Sequence, residues 1–193
     1  MTLFIKNMVC DRCKLVISHE LSKLGHIVLR ADLGEVKLAA DPSAVELAEI
    51  ASLLATFGFE LATDRKQRLV TQVKAQLMAL LYTDAGGPAL NLSAYLPAQL
   101  PFDYSYLSSV FSETEGYPIE KFFIAQKIER VKELISYGEE TLSQIAFRMG
   151  YSSLAHLSSQ FKKVSGLTPS AWKRQAELKR RPLDQLPRID FLP

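Results

Sequence analysis

The chain has 193 residues with 48% apolar side chains, enough for one large or two small packed domains. Its net charge of +2 hides an asymmetry: residues 1–64 hold 6 Lys/Arg against 9 Asp/Glu, and the remainder holds 17 against 12. No apolar run approaches the ~18 residues of a membrane span, and the amino terminus has neither the basic start nor the apolar core of a secretory signal, so a cytoplasmic protein with no membrane partner is expected.

Residues 1–64 alternate between the two periodicities of strand and helix. Leu3 and Ile5 alternate with Phe4 and Lys6, which predicts a short strand. Cys13, Ile17, Leu21 and Leu24 then fall on one helical face that ends at Gly25. Ile27, Leu29, Ala31 and Leu33 alternate up to Gly34-Glu35, and Val36 and Leu38 return, a hairpin. Asp41-Pro42-Ser43 opens a helix with Leu47, Ile50, Ala51 and Leu54 on one side. Gly58 stops it before a last strand at Phe59-Glu60-Leu61. The order βαββαβ predicts a two-layer sandwich, one sheet with two helices on one face.

Beyond Asp64 no strand signal appears. Arg65 to Tyr82 reads as an amphipathic helix with Leu69, Val73, Leu77 and Leu80 as its buried stripe. That stripe is either a dimerisation seam or the packing face of the following domain's first helix. Short helices broken by Pro and Gly follow, and 182–193, with three prolines, reads as an irregular tail. The fold class is α+β, organised as 1–64, a connecting helix 65–82, an all-helical domain 83–181, and the tail.

Within the helical domain, Thr141 and Gln144 form a capping box, in which each side chain satisfies a free amide at the helix start. Leu142, Ile145, Ala146 and Met149 face inward, and Gly150 makes the turn. Ser152/Ser153 cap a second helix with Leu157, Phe161 and Val164 inward, closed by Gly166; Thr168-Pro169 opens another toward Trp172. This is a helix-turn-helix, whose second helix would enter a major groove. Ser158, Ser159, Gln160, Lys162 and Lys163 point away from the apolar stripe.

A less regular copy precedes it. Asn91 caps a helix with Leu92, Tyr95 and Leu96. Leu100-Pro101-Phe102 turns, and Asp103 caps a helix with Leu107, Val110 and Phe111 that ends at Gly116. Between the copies, Pro118–Tyr137 is one helix with Ile124, Ile128, Val131 and Ile135 on a face. About 19 helical residues span roughly 28 Å. That is near the ~34 Å between successive major-groove faces of B-DNA. From Gln144 to Arg181 there are eight basic residues against one acid, Glu177, the balance of a polyanion-binding surface.

LSQIAFRMGYSSLAHLSSQFKKVSGLTPSAWK, Leu142–Lys173, resembles the second half of the AraC/XylS DNA-binding domain, and QKIERVKELI, Gln126–Ile135, resembles its linking helix. The resemblance covers residues 68–175. It implies a bacterial transcription regulator that binds double-stranded DNA, acts as a homodimer and meets RNA polymerase. It places Leu154, Ala155, Ser158 and Ser159 against base edges in the second unit, and Ser105, Tyr106, Ser108 and Ser109 in the first. Arg148, Ser153, Gln160, Lys162, Lys163 and Lys173 complete the DNA-contacting set. Departing from the family, the first recognition helix, Ser105 to Glu113, has no basic residue. Pro97 inside the preceding helix removes a backbone donor.

Cys10 and Cys13, the only cysteines, lie between the first strand and first helix, so the pair reads as a site. Two thiolates at this spacing suit Cu(I), whereas Zn(II) needs further ligands. Met8-Val9-Cys10-Asp11-Arg12-Cys13 and Phe57-Gly58-Phe59 make residues 1–64 resemble a heavy-metal-associated domain of ferredoxin-like fold. The resemblance implies Cys10 and Cys13 as ligands with Met8 as core support. A soft-metal gate on regulation, a thiol redox switch and a scaffold for protein contacts all stay open, as does a Cu(I)-trafficking module docked by its helical part. No acid/base pair, phosphate loop or nucleophile arrangement points to an enzyme.

Overall fold

The computed structural model describes residues 1–82 and 91–179, without the side chains of 176–179. The tail 182–193 and the basic residues Arg180 and Arg181 lie outside the described residues. β1 (Thr2–Lys6), α1 (Asp11–Lys23), β2 (Val28–Asp32), β3 (Glu35–Leu38), α2 (Ala44–Thr56) and β4 (Glu60–Leu61) come first. The helices α3 (Arg65–Tyr82), α4 (Leu92–Gln99), α5 (Tyr104–Glu115), α6 (Ile119–Tyr137), α7 (Leu142–Arg148), α8 (Leu154–Ser165) and α9 (Pro169–Lys179) follow. The chain divides into two compact units, and the boundary falls between Gln126 and Lys127 within α6.

In the first unit the four strands form an antiparallel sheet in the order β2-β3-β1-β4. Leu3, Ile5, Val36 and Leu38 make one apolar face, and α1 and α2 cover it with Ile17, Leu21, Ile50 and Leu54. Ser43 and Glu46 cap α2 reciprocally, each side chain satisfying an amide of the other's backbone. Leu24, placed on the α1 face by periodicity, caps the helix instead and is exposed.

The predicted phase of β2 is corrected at its start, whereas Ala31 and Leu33 pack against the core as predicted. Ile27 and Leu29 are 70% and 59% exposed, while Val28 and Ala31 pack into the core. The pairing slips between Val28 and Arg30, so one extra residue of β2 opposes Lys37. That bulge brings Val28 opposite Leu38 and Ala31 opposite Val36 on the same face.

α3 is buried on more than the one predicted stripe. Leu69, Val70, Val73 and Leu77 join Leu92 and Leu96 of α4, Leu107, Val110 and Phe111 of α5, and Ile119 in a second core. Leu80 is half-buried, whereas Thr71, Ala75, Met78 and Leu81 are buried. Thr71 and Ala75 lie under the β2–β3 turn, where the space above Gly34 is filled by Ala75 Cβ and by Thr71 Cγ2 and backbone O. The stripe is therefore not free to serve as a dimerisation seam. It is consumed as the packing face of the helices that follow, the other reading that the pattern allowed.

The second unit buries Ile128, Val131, Leu134 and Ile135 of α6 with Ile145, Ala146, Met149, Leu157 and Phe161. Phe161 meets Trp172 of α9 edge-on at 6.3 Å. Val164, predicted inward, is 43% exposed, because α8 is amphipathic only as far as Phe161 before it ends at Ser165. Among the described residues no helix is long and apolar enough to cross a membrane.

Candidate nucleic-acid interface and cysteine pair

In the second unit, the amide of Gln144 donates to Thr141 Oγ1 at 3.3 Å, and the Thr141 amide donates to Gln144 Oε1 at 2.8 Å. Gly150, at φ 67°, reverses the chain after α7, since that left-handed conformation suits glycine. Ser153 then caps α8 by accepting the His156 amide at 3.1 Å. The helix turns Leu157 and Phe161 inward and leaves Leu154, Ala155, Ser159, Lys162 and Lys163 exposed, with Ser158 half-buried. The five exposed positions share the outer surface of one helix, as base-reading residues must.

Gln160 does not stand free on that surface. Its Oε1 accepts the Tyr151 hydroxyl at 2.7 Å, so its amide nitrogen retains the capacity to donate. Tyr151 is buried, which pushes its phenol up to about 12, and Lys127 Nζ sits 4.1 Å from its ring centroid. Burial pulls the Lys127 ammonium down to about 8. His156 meets the other side of the arrangement, edge-on to Tyr151 at 5.3 Å, with Nδ1 3.1 Å from Ser152 Oγ. Tyr151 thus anchors α8 through Gln160, with Lys127 over its ring, and sequence reasoning missed both; the signal was an aromatic directly after the turn glycine.

Arg148 is also committed within the fold. Its Nη1 donates to Glu140 at 2.5 Å, which ties α7 to the preceding loop. Lys162 and Lys163 have no carboxylate partner among the described residues, so their charge faces outward at the end of α8. Lys173 lies half-buried on α9.

The first unit carries the second candidate surface. Asn91 Oδ1 accepts the Ser93 amide at 3.0 Å, and Asp103 Oδ1 accepts the Tyr106 amide at 2.8 Å. Pro97 is accommodated inside α4. On α5, Leu107, Val110 and Phe111 face inward; Ser105, Tyr106 and Ser109 are exposed and Ser108 is half-buried. The Tyr106 ring rests 5.3 Å from that of Phe102. The acids at the end of α5 are occupied, Glu113 by Lys66 at 2.6 Å and Glu115 by Lys74 at 2.7 Å. The outer face offers hydroxyls and no positive charge of its own.

The cysteines are brought together. Asn7 takes a left-handed backbone, φ 70°, and its Nδ2 donates to Gly58 O at 2.9 Å, pinning the loop to the end of α2. Met8 is buried in the core as expected, Cys10 is the N-cap of α1, and the two Sγ atoms are 3.6 Å apart. Burial pushes the Cys10 thiol up, but bonds from the Cys13 amide and thiol and from Arg12, with the Arg12 charge, outweigh it and leave Cys10 below its usual range. Among the described residues no three His, Cys, Asp or Glu side chains gather at a metal-sized centre.

Residues 98–175 match the family model described as Helix-turn-helix domain. An uncharacterized HTH-type transcriptional regulator of Staphylococcus aureus is 33% identical over 69 residues, 36% of this chain and 9% of that protein. The chain thus covers only a small part of the curated relatives it matches. Among solved structures, the C-terminal domain of AraT, a response regulator from Geobacillus stearothermophilus, is similar at TM-score 0.50 and 20% identity, covering 66% of this chain and 98% of that one. A transcriptional regulator from Chromobacterium violaceum, of the AraC-type DNA-binding domain-containing proteins, has TM-score 0.48 and 17% identity over 56% of this chain and 96% of that one. The carboxy-terminal region is a helix-turn-helix domain. The proteins named here are described as regulators.

Proposed function

We propose that the chain is a cytoplasmic transcription regulator of the AraC/XylS type that reads double-stranded DNA with α8. One observation carries this reading: Tyr151 anchors α8 through Gln160 while Leu154, Ala155, Ser159, Lys162 and Lys163 stay exposed. Small side chains let the helix approach base edges, and the two lysines supply phosphate neutralisation. α5 contributes hydroxyl and Tyr106 contacts without charge, so the second unit dominates affinity. Residues 83–181 act as the DNA-binding part, 65–82 as the connecting helix, and 1–64 as a ferredoxin-like input module. Any homodimer uses a surface other than the α3 stripe.

The input is a soft cation at Cys10 and Cys13. Two sulfurs 3.6 Å apart at a helix start suit a low-coordinate Cu(I), and the lack of further ligands among the described residues disfavours a closed Zn(II) site. The same proximity would let the pair close a disulfide, the redox alternative.

Selection of the purified, reduced protein against a genome-derived DNA library at two salt concentrations tests the reading. One sequence should be enriched, and Lys162→Ala/Lys163→Ala should flatten the log K against log salt slope by about 2, since each phosphate that a lysine neutralises adds roughly 0.9 to it. No enrichment at either salt refutes it. Enrichment that changes with Cu(I) only while both cysteines are present supports gating; enrichment indifferent to Cys10→Ser/Cys13→Ser removes it.

A further inference from the structure

A cavity of about 530 Å³ lies at the β1–β4 side of the amino-terminal sheet, and neither cysteine lines it. It exists because β4 is short. Ile5 and Lys6 pair with Leu61 and Glu60, and the Ala62 amide still donates to Phe4 O at 2.8 Å. There the chain turns away toward α3, and Thr2 and Leu3 have no strand partner on that side. Arg68 holds the departing chain, its Nε donating to Ala62 O at 3.3 Å and its Nη2 to Thr63 O at 3.1 Å.

The space left behind is walled by Leu3 and Phe59 on the sheet side and by Ala48, Ala51 and Ala55 of α2. Its apolar lining is interrupted by Thr2 and Thr63, by Glu60, whose carboxylate is paired with Lys6 at 3.4 Å, and by Arg68, whose guanidinium lies over Phe4 at 5.8 Å. Among the described residues no carboxylate is paired with Arg68. Its two carbonyl bonds leave Nη1 and one Nη2 hydrogen as charged donors. A volume within the ~300–1,000 Å³ of small-molecule sites, an apolar wall and one oriented cation define a recognisable chemistry.

We propose that this cavity binds a small amphipathic carboxylic acid, with its hydrocarbon or aryl body along α2 and its carboxylate on Arg68. The volume favours a compact molecule, and the single uncompensated guanidinium selects an anion over an alcohol or an amine of the same shape. The site needs no metal and no DNA, so its failure and that of the regulator reading are separately visible.

Sodium decanoate and decanol, equal in chain length and different in charge, are the probes, titrated into the full chain by calorimetry. Decanoate should bind saturably and roughly tenfold or more tightly than decanol, the ratio of one charge-assisted hydrogen bond. Arg68→Met should bring decanoate down to the decanol level, and Arg68→Lys should recover part of the difference. Ala51→Phe, checked for folding by circular dichroism, should weaken both probes by filling the wall. The proposal is overturned if decanoate and decanol bind the unaltered protein equally, or if decanoate shows no saturable binding at millimolar concentration. Unchanged binding to folded Ala51→Phe overturns it as well.

Discussion

Gly34 offers a direct measure of how firmly the β2–β3 hairpin seats on α3. It sits at φ +81°, where an L-residue costs about 1–2 kcal/mol. A Cβ there would lie 3.0 Å from Ala75 Cβ and 3.2 Å from both Thr71 Cγ2 and Thr71 O. Helix backbone and short side chains cannot swing aside, so overpacking adds about 1–3 kcal/mol to the strain. Gly58 is the control: its φ is +80°, and an added Cβ meets nothing within 4 Å. The backbone strain and the entropy gained in the unfolded chain are common to the two alanine variants and cancel. Gly34→Ala should therefore lose about 1–3 kcal/mol more than Gly58→Ala in urea unfolding followed by circular dichroism, with equal m-values. Equal losses would mean that the turn yields without resistance and that the hairpin and α3 are not tightly seated.

Other outcomes follow from named contacts. Thr141→Ala breaks the α7 capping box and should cost about 1 kcal/mol by urea denaturation, with Thr141→Ser close to the parent. Lys127, lowered to about 8 by burial, is neutral in the folded protein while still charged in the unfolded chain as pH rises above 8. The unfolded state then binds more protons, so stability should climb with pH from about 8. Above pH 10 the rise should turn over, because Tyr151, raised to about 12, keeps its proton longer when folded. Lys127→Met should abolish the rise, and a pH series of urea midpoints reads it directly. Lys66→Met should leave the urea midpoint in place, since its exposed pair with Glu113 is screened by solvent. If α5 meets DNA as proposed, it should nonetheless weaken binding in gel shift, because Glu113 on that helix then carries an unpaired negative charge.

Much of this organisation was legible in the chain because it is local. The Thr141/Gln144 box, the Asn91, Asp103 and Ser153 caps and the glycines after α5 and α8 are short-range stereochemistry, and they appear where the residues stand. What was hidden is tertiary. One apolar stripe on α3 was readable, but its second buried side is made by Thr71 and Ala75, small or polar residues that carry no hydrophobic signal and are chosen to fit the hairpin. The β2 bulge was hidden because Ile27 and Leu29 alternate perfectly in the wrong phase, and only pairing with β3 decides which phase faces the core. At the candidate interface, exposed positions on α5 and α8 followed from periodicity. The bond from Tyr151 to Gln160 and the ion pair from Arg148 to Glu140 did not, since each joins residues eight or nine apart that no local spacing rule pairs.

The helix α3 also constrains how such a protein can change over generations. A recombination event that replaced residues 1–64 with an unrelated receiver would leave behind a helix notched at Thr71 and Ala75 for a glycine turn the newcomer lacks. An event that carried α3 along would strip Leu107, Val110 and Phe111 of the partners that hold α5. Neither crossover yields a working hybrid without further substitution. Variation in either module is therefore expected to be answered by variation along this helix.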